Sequence, residues 1–228
     1  MPNLISALKD NHTNYAPLVS KKLLSEEPYI FDFTQNNSSL GNINITDIQK
    51  FSAYVNSVLK KAGKKIGAGG YGENRILYFS SLFKETEESR SVHLGMDLWM
   101  PAGTEIFLPL EGRIHSFKDN NRLLDYGPAI IVEHSLDGVV FYSLYGHLSR
   151  SSLWDLKVGQ KIAKGQKFAS LGESSENGQW PPHLHFQIIS DMLGMQGDFP
   201  GVCKPSEQAY YLNLCPNPNL ILQIPNLP

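Results

Sequence analysis

Two histidines separated by a single residue, His183 and His185, form the most informative chemical feature of this sequence. Alternate side chains of a β-strand point to the same face, so these two imidazoles are expected to project side by side, roughly 6.6–7 Å apart. One of them can bind a metal ion, and the other can then contact a water molecule on that metal. The spacing alone leaves open which histidine is the ligand.

His93 and Asp97 supply two further groups of the types that bind zinc. In a fully extended strand their side chains would lie about 13 Å apart, but Gly95 between them permits a bend that brings imidazole and carboxylate together. A set of His, carboxylate and His leaves the fourth coordination position for water, which is the arrangement of catalytic zinc sites. Zinc lowers the pKa of such a water to about 7 and so produces a nucleophile at neutral pH.

His147 follows Gly146 in a polar turn and is the next histidine available for chemistry. Together with His183 it can polarise the water and stabilise the oxyanion of a tetrahedral intermediate. His115 and His134 lack any such grouping and are interpreted as ordinary histidines at strand ends or the edge of the core, and His12 as solvated.

The elements that position these residues are predicted to be mostly β-strands. The chain has 228 residues, of which 41% are hydrophobic and 18% charged, with 19 Gly and 14 Pro. Strand patterns separated by Gly and Pro turns begin at residue 76, without crossover helices, so the prediction is a mostly β fold with an antiparallel sheet. The predicted strands are 76–82, 104–108, 112–117, 129–134, 139–145, 167–171 and 183–189.

The chain is predicted to divide into three parts. Residues 1–86 form an α-containing N-terminal extension with one helix at about 46–62, capped by Thr46 with Gln49 in a capping box and ended by Gly63. Residues 87–190 form the β domain that carries the histidines, and residues 191–228 form an irregular Pro-rich C-terminal strap.

Composition also limits the partners. There are 20 Lys and Arg against 22 Asp and Glu, which excludes a generally basic protein that binds nucleic acid. No apolar run approaches the roughly 18–20 residues of a membrane helix, and no basic segment precedes an apolar one near the N-terminus, so the prediction is a cytoplasmic protein without membrane contact. Two cysteines, Cys203 and Cys215, are too few for a disulfide framework and are interpreted as reduced structural thiols.

Several motifs in one order carry a family resemblance: His93-x-Gly95-x-Asp97, Pro101–Thr104, Tyr145–Leu148, Val158–Ile162, Lys164–Gln166, Leu171-Gly172 and His183–Phe186. Over about residues 87–190 they resemble the lysostaphin-type (LytM-like) zinc metallopeptidases. The resemblance implies an antiparallel β fold of the lysostaphin/LytM, duplicated-hybrid-motif type with a narrow groove. It implies Zn²⁺ held by His93, Asp97 and His185, and His147 with His183 as the catalytic pair.

Two departures from the family pattern concern the groove. Gln187 stands where the family commonly has Glu, and Trp180-Pro181-Pro182 is expected to stiffen and narrow one wall. The block from Gly172 to Ile189, with Gly197–Pro200 after it, is also similar to a metallopeptidase-like segment between the kinase-like and aminotransferase domains of some large bacterial proteins. The leading hypothesis is therefore a zinc-dependent hydrolase whose partner is a peptide or small amide substrate.

Two alternatives lack this activity. In one, the chain is a non-catalytic binding or regulatory module that keeps the metallopeptidase fold. In the other, Val158–Gln166 resembles the hairpins of lipoyl- and biotin-carrier domains, with Lys161 or Lys167 as the modified residue, although the favoured interpretation of this stretch is two turns of the sheet. Trp99, Tyr126, Tyr145 and Trp180 are candidates for lining a substrate cleft.

Overall fold

The computed structural model describes residues 3–20, 23, 27–40, 47–78 and 88–227. Within them lie α1 (Leu4–Asp10), β1 (Tyr29–Phe31), α2 (Ile48–Ala62), β2 (Gly67–Gly69), β3 (Val92–His93), β4 (Met96–Trp99), β5 (Glu105–Phe107), β6 (Gly112–Asn120), β7 (Gly127–Leu136), β8 (Val139–Gly146), β9 (Lys161–Ile162), β10 (Lys167–Ser170), β11 (His183–Ile189), β12 (Val202–Cys203), α3 (Gln208–Leu214) and α4 (Asn219–Leu222). None of these helices is long and apolar enough to cross a membrane.

The predicted fold class, mostly β with an antiparallel sheet, is confirmed. Eight strands form one sheet in the order β1-β2-β4-β11-β8-β7-β6-β9, and β10 with β5 and β12 with β3 form two small pairs. All of these pairings are antiparallel except that of β1 with β2. Strand β11 lies between β4 and β8, and all seven of its residues are buried.

The centre of the sheet follows local sequence signals. Strands β7 and β8 are joined by Asp137 and Gly138, both with positive φ (51° and 80°), which is typical of the two-residue turn that an Asp-Gly pair favours. The turn sets the register, and Leu136 pairs with Val139. The stretch 158–166 forms turns around β9, with Gly159 and Gly165 at positive φ of 81° and 73°, in agreement with its interpretation as turns of the sheet.

A helix is present at Ile48–Ala62, close to the predicted range of about 46–62. Asp47 caps it, since its carboxylate accepts a hydrogen bond from the Lys50 N–H at 3.2 Å. Gly63, the predicted end of the helix, follows it in a left-handed conformation (φ 65°). Thr46, the predicted cap, lies outside the described residues.

The N-terminal part of the chain is integrated into the main sheet. Strand β2 pairs with β4, and β1 extends the sheet by one further strand. A Cβ atom at Gly67 would overlap the Phe31 ring and one at Gly69 the Trp99 ring, so glycine is required for this close packing. The boundaries at residues 86 and 190 remain predictions, although described residues on both sides of them pair with strands of the β domain.

Three sequence predictions about elements need correction. The extension contains α1, packed against α4, in addition to the single helix that was predicted. Residues 76–78 form a short 3-10 helix instead of a strand, because their backbone turns to direct the Ile76 N–H to the Phe33 carbonyl, and residues 79–82 lie outside the described residues. The C-terminal segment contains β12, α3 and α4 and is therefore not simply an irregular strap.

Candidate metal and catalytic site

The register of three adjacent strands brings the candidate residues together. In the pairing of β11 with β4, His185 lies opposite Asp97 and His183 opposite Trp99. In the pairing of β11 with β8, His185 lies opposite Gly146, so His147 follows immediately at the strand end. His147 itself has a left-handed backbone (φ 62°). A shift of one residue in either pairing would move the two β11 histidines to the other face.

The bend between His93 and Asp97 lies between β3 and β4, at Leu94-Gly95. An added Cβ atom at Gly95 would lie 2.5 Å from Cε1 of His185 and 2.8 Å from the Phe186 carbonyl. Glycine is therefore required at this position, because the absence of a side chain lets the turn pack directly against the His185 ring.

Three potential ligand atoms converge on one point. His93 Nε2 and His185 Nδ1 are 3.1 Å apart. Asp97 Oδ1 lies 3.3 Å from His93 Nε2 and 3.2 Å from His185 Nδ1. Tetrahedral ligands about 2.0 Å from a zinc ion are separated by about 3.3 Å, so these separations fit a zinc-sized ion.

The outer nitrogens of both imidazoles are engaged by acceptors. His93 Nδ1 lies 3.0 Å from the Gly70 carbonyl oxygen. Because a carbonyl oxygen can only accept a hydrogen bond, His93 Nδ1 carries a proton. His185 Nε2 lies 2.9 Å from Gln187 Oε1, and the Gln187 amide donates to the Pro200 carbonyl at 3.1 Å, which fixes Oε1 as the acceptor. In its neutral form each ring therefore directs an unprotonated nitrogen at the other ring and at Asp97, an arrangement that a bound cation would stabilise.

The electrostatics of the site hold Asp97 ionised and His93 neutral. Burial raises the pKa of the Asp97 carboxyl, but the neighbouring His93, Arg75 and His185 outweigh it and lower the pKa well below its usual range. Arg75 Nη1 lies 2.5 Å from Asp97 Oδ2. Burial, followed by the charge of Arg75, lowers the pKa of His93 to about 4 despite the neighbouring carboxylate.

His147 and His183 form a second pair beside the first group, with ring centroids 4.1 Å apart. His147 Nδ1 donates to the Asn177 carbonyl at 2.9 Å and His183 Nδ1 to the Pro181 carbonyl at 2.7 Å. Neither Nε2 atom forms a hydrogen bond to another described residue, and His183 Nε2 lies 3.9 Å from Asp97 Oδ1. Burial lowers the pKa of both rings, so both are neutral at pH 7 and offer an Nε2 lone pair.

All five candidate residues line one pocket of about 220 Å³, and each is at most 5% exposed. The walls come from distant parts of the chain: Phe51, Arg75, Leu77, Arg90, Trp99, Arg122, Leu124, Asp125, Tyr126, Trp180 and Asp198–Val202. Because the pocket is small, it admits a slender group.

Three of the four predicted groove aromatics, Trp99, Tyr126 and Trp180, line this pocket. The prediction for Tyr145 is wrong, because strand alternation points its ring to the opposite face, where it packs against Phe168 and Phe186. Sequence reasoning missed Arg75 and Asn177, whose contacts with Asp97 and His147 join positions 22 and 30 residues apart and leave no local signal.

Residues 91–196 match the sequence profile of peptidase family M23. No curated protein matches the chain. Among solved structures, it is similar to a zinc-containing peptidase from Vibrio cholerae (27% identity, 43% of this chain and 27% of that one, TM-score 0.34). It is also similar to lysostaphin in solution (26% identity, 53% of this chain and 44% of that one, TM-score 0.37).

A third similar structure is the catalytic domain of lysostaphin from Staphylococcus simulans (23% identity, 70% of this chain and 96% of that one, TM-score 0.43). The chain spans less than half the length of the first two structures. Through residues 91–196, which make up just under half of its length, this chain is similar to peptidase family M23.

Proposed function

We propose that this protein is a zinc-dependent hydrolase of peptide or amide bonds. His93 Nε2, Asp97 Oδ1 and His185 Nδ1 would hold the ion. The observation that carries the proposal is the convergence of these three atoms within 3.1–3.3 Å, with the outer imidazole nitrogens engaged elsewhere. The M23 family, whose members are typically zinc metallopeptidases, supports the same assignment.

When bound, Zn²⁺ supplies a polarised water nucleophile and a Lewis acid for the substrate carbonyl. The chain supplies the proton transfers. His147 Nε2 and His183 Nε2 are lone-pair acceptors at neutral pH, and either can take a proton as the attacking water adds to the carbonyl. The protonated ring then donates from Nε2 to the oxyanion or to the departing amine nitrogen.

The outer hydrogen bonds of the catalytic pair support this role. The Asn177 and Pro181 carbonyls hold the protons on Nδ1, so each ring presents the Nε2 lone pair in a fixed direction. The same carbonyls stabilise the imidazolium that forms during the reaction, as the orienting acceptor does in other histidine-based sites.

The shape of the pocket supports a slender substrate. Its volume of about 220 Å³ is below the range of about 300–1,000 Å³ for sites of drug-sized ligands. Trp180 and Tyr126 form apolar walls beside His147, with ring centroids 6.3 Å and 5.8 Å from it. A peptide or small amide with a small acyl side chain fits these dimensions.

We further propose that the protein works in the cytoplasm. Cys203 and Cys215 are both buried free thiols, which suits a reducing compartment. Fractionation of cells that express the untagged protein tests this placement, and recovery outside the cytoplasm would contradict it.

The central experiment combines metal analysis with an activity screen. Protein purified without chelators or a His tag is expected to hold about one zinc ion per chain. It should hydrolyse at least one member of a panel of glycine-rich peptides, murein fragments and small amides. Removal of zinc by a chelator should abolish turnover, and added zinc should restore it.

Two results would contradict the proposal. Protein without a bound ion that also fails to take up added zinc would exclude the metal site. Protein that binds zinc tightly and hydrolyses nothing in the panel would favour the non-catalytic module.

A further inference from the structure

Arg75 is a buried charge that contacts the site from outside the segment that matches the family. It is 1% exposed, and it precedes residues 91–196. Its Nη1 lies 2.5 Å from Asp97 Oδ2, while Asp97 Oδ1 faces the two imidazole nitrogens. The two carboxylate oxygens therefore have different partners.

We propose that Arg75 is a positioning residue that restricts Asp97 to binding the metal through Oδ1 alone. This inference rests on the proposed metal site. A charge-assisted hydrogen bond to Oδ2 directs that oxygen away from the ion and fixes the carboxylate plane. Without it, the carboxylate is free to rotate and offer both oxygens to the metal.

The guanidinium is held in place by contacts on three sides. Its Nε donates to Glu73 Oε2 at 2.7 Å, and Glu73 Oε1 accepts the Phe33 N–H at 2.9 Å. Its Cζ lies 5.5 Å from the Phe33 ring centroid and 6.0 Å from that of Trp99, within the range of cation–π contacts. These contacts fix the side chain before any ion arrives.

The backbone around Arg75 is also tied to the sheet beside the site. Its N–H donates to the Ser91 carbonyl at 2.8 Å. Six residues earlier, Gly69 of β2 pairs with Asp97 of β4. The N-terminal part of the chain is therefore a component of the metal site.

Binding of the metal through Asp97 Oδ1 alone leaves one coordination position of the ion available. Three single-atom protein ligands leave a fourth site for water, as in catalytic zinc centres. A carboxylate that binds through both oxygens occupies an additional position and crowds that water. Arg75 thus favours a four-coordinate ion.

Cobalt substitution tests this role in the full-length chain. Four-coordinate Co²⁺ absorbs visible light several-fold more strongly than five-coordinate Co²⁺, so its spectrum reports the coordination number. We expect intense bands for the wild type and several-fold weaker bands for Arg75→Met. Zinc affinity of Arg75→Met, measured by competition with a chromophoric chelator, should fall by about 10–100-fold.

Further variants distinguish the positioning role of Arg75 from the effect of its charge and from an effect on folding. Arg75→Lys keeps the charge without the planar fork and should give intermediate values. Arg113→Met removes an arginine from the exposed pair with Glu133 and should leave both readouts unchanged. If Arg75→Met does not fold, Glu73→Gln serves instead, since it loosens Arg75 without removing it, and weaker cobalt bands are again expected.

The outcomes distinguish this inference from the proposed function. A wild type that binds neither Co²⁺ nor Zn²⁺ overturns both. A wild type that binds metal, together with a folded Arg75→Met of unchanged cobalt spectrum and zinc affinity, overturns only the role of Arg75. The same unchanged readouts in Glu73→Gln would overturn it if Arg75→Met does not fold.

Discussion

Two groups of buried histidines in this molecule differ in what their ring nitrogens contact. His134 is 2% exposed, and both of its nitrogens have partners: the Glu111 carbonyl at 2.9 Å and Ser143 Oγ at 2.6 Å. In the pocket, His147 and His183 each use Nδ1 for a hydrogen bond, and their Nε2 atoms form none with the residues that the structure describes.

The difference teaches that burial does not mark a functional histidine. Burial lowers the pKa of His134 to about 4 and that of His93 to about 4 as well. What separates the two is the partner of the second nitrogen, a serine hydroxyl for His134 and a converging set of lone pairs for His93. The arrangement around His134 is complete without a ligand, whereas the atoms that converge with His93 Nε2 could hold a metal ion.

The largest expected effect that tests this comparison is loss of the metal. His185→Ala removes one of three ligands, so zinc content should fall from about one ion per chain to below about 0.1. His134→Gln should keep its zinc. Elemental analysis after gel filtration measures both, and zinc retained by His185→Ala would contradict the assignment of His185.

A large effect on turnover is expected from the catalytic pair. His147→Ala should lower kcat by about 10²–10⁴-fold, because it removes a proton acceptor, and should leave zinc content unchanged. The measurement is kcat on whichever panel substrate is cleaved. If activity is unaffected while the protein stays folded, His147 has no role in proton transfer.

The buried ring of His134 predicts an effect of pH on the free energy of unfolding. The unfolded chain protonates this ring near its ordinary pKa of 6.5, whereas the folded chain does so only near 4. The contribution of His134 to the free energy of unfolding is therefore fully present above about pH 6.5. It declines by up to about 3 kcal/mol as the pH falls towards 4. Urea unfolding of the wild type and of His134→Gln across this pH range should show a smaller decline in the variant. If the free energies of unfolding of the two proteins fall in parallel with pH, His134 does not cause the decline.

A smaller effect is expected from the outer partner of His185. Gln187→Leu removes the acceptor of the Nε2 proton and should weaken zinc affinity by about 10–100-fold. Gln187→Glu keeps an acceptor and should lie closer to the wild type. Competition with a chelator measures the zinc affinity of both variants. Equal affinity of the Leu variant and the wild type would show that the hydrogen bond from His185 to Gln187 does not contribute to zinc binding.

The smallest effect is expected at His115, which is only half-buried and hydrogen-bonds to Ser116 Oγ. His115→Ala should change the free energy of unfolding by at most about 0.5 kcal/mol and leave zinc content unchanged. Thermal melts and elemental analysis check this, and a loss of zinc would place His115 in the site after all.

Local patterns in the sequence predicted the central strands and the grouping of the candidate site. The alternation of β11 places His183 and His185 on one face, and Gly95 permits the turn beside them, so short-range rules suffice there. The same alternation places Tyr145 on the opposite face, which the sequence analysis overlooked.

Other parts of the fold and site depend on long-range packing. Strand β2 consists of Gly67-Ala68-Gly69, which has little intrinsic strand preference and exists because two aromatic rings pack against its glycines. Helix α1 is too short to show a periodic pattern. Arg75 contacts Asp97 from 22 positions away in the chain, and no motif marks it as a partner of a carboxylate.

The hydrogen bonds of Gln187 have a consequence for synthesis of the protein. Its amide donates to the Pro200 carbonyl and, at 3.3 Å, to Cys215 Sγ. Cys215 follows His185 by 30 positions in the chain. On the ribosome, the contacts that orient the His185 ring are therefore complete only after Cys215 has left the exit tunnel.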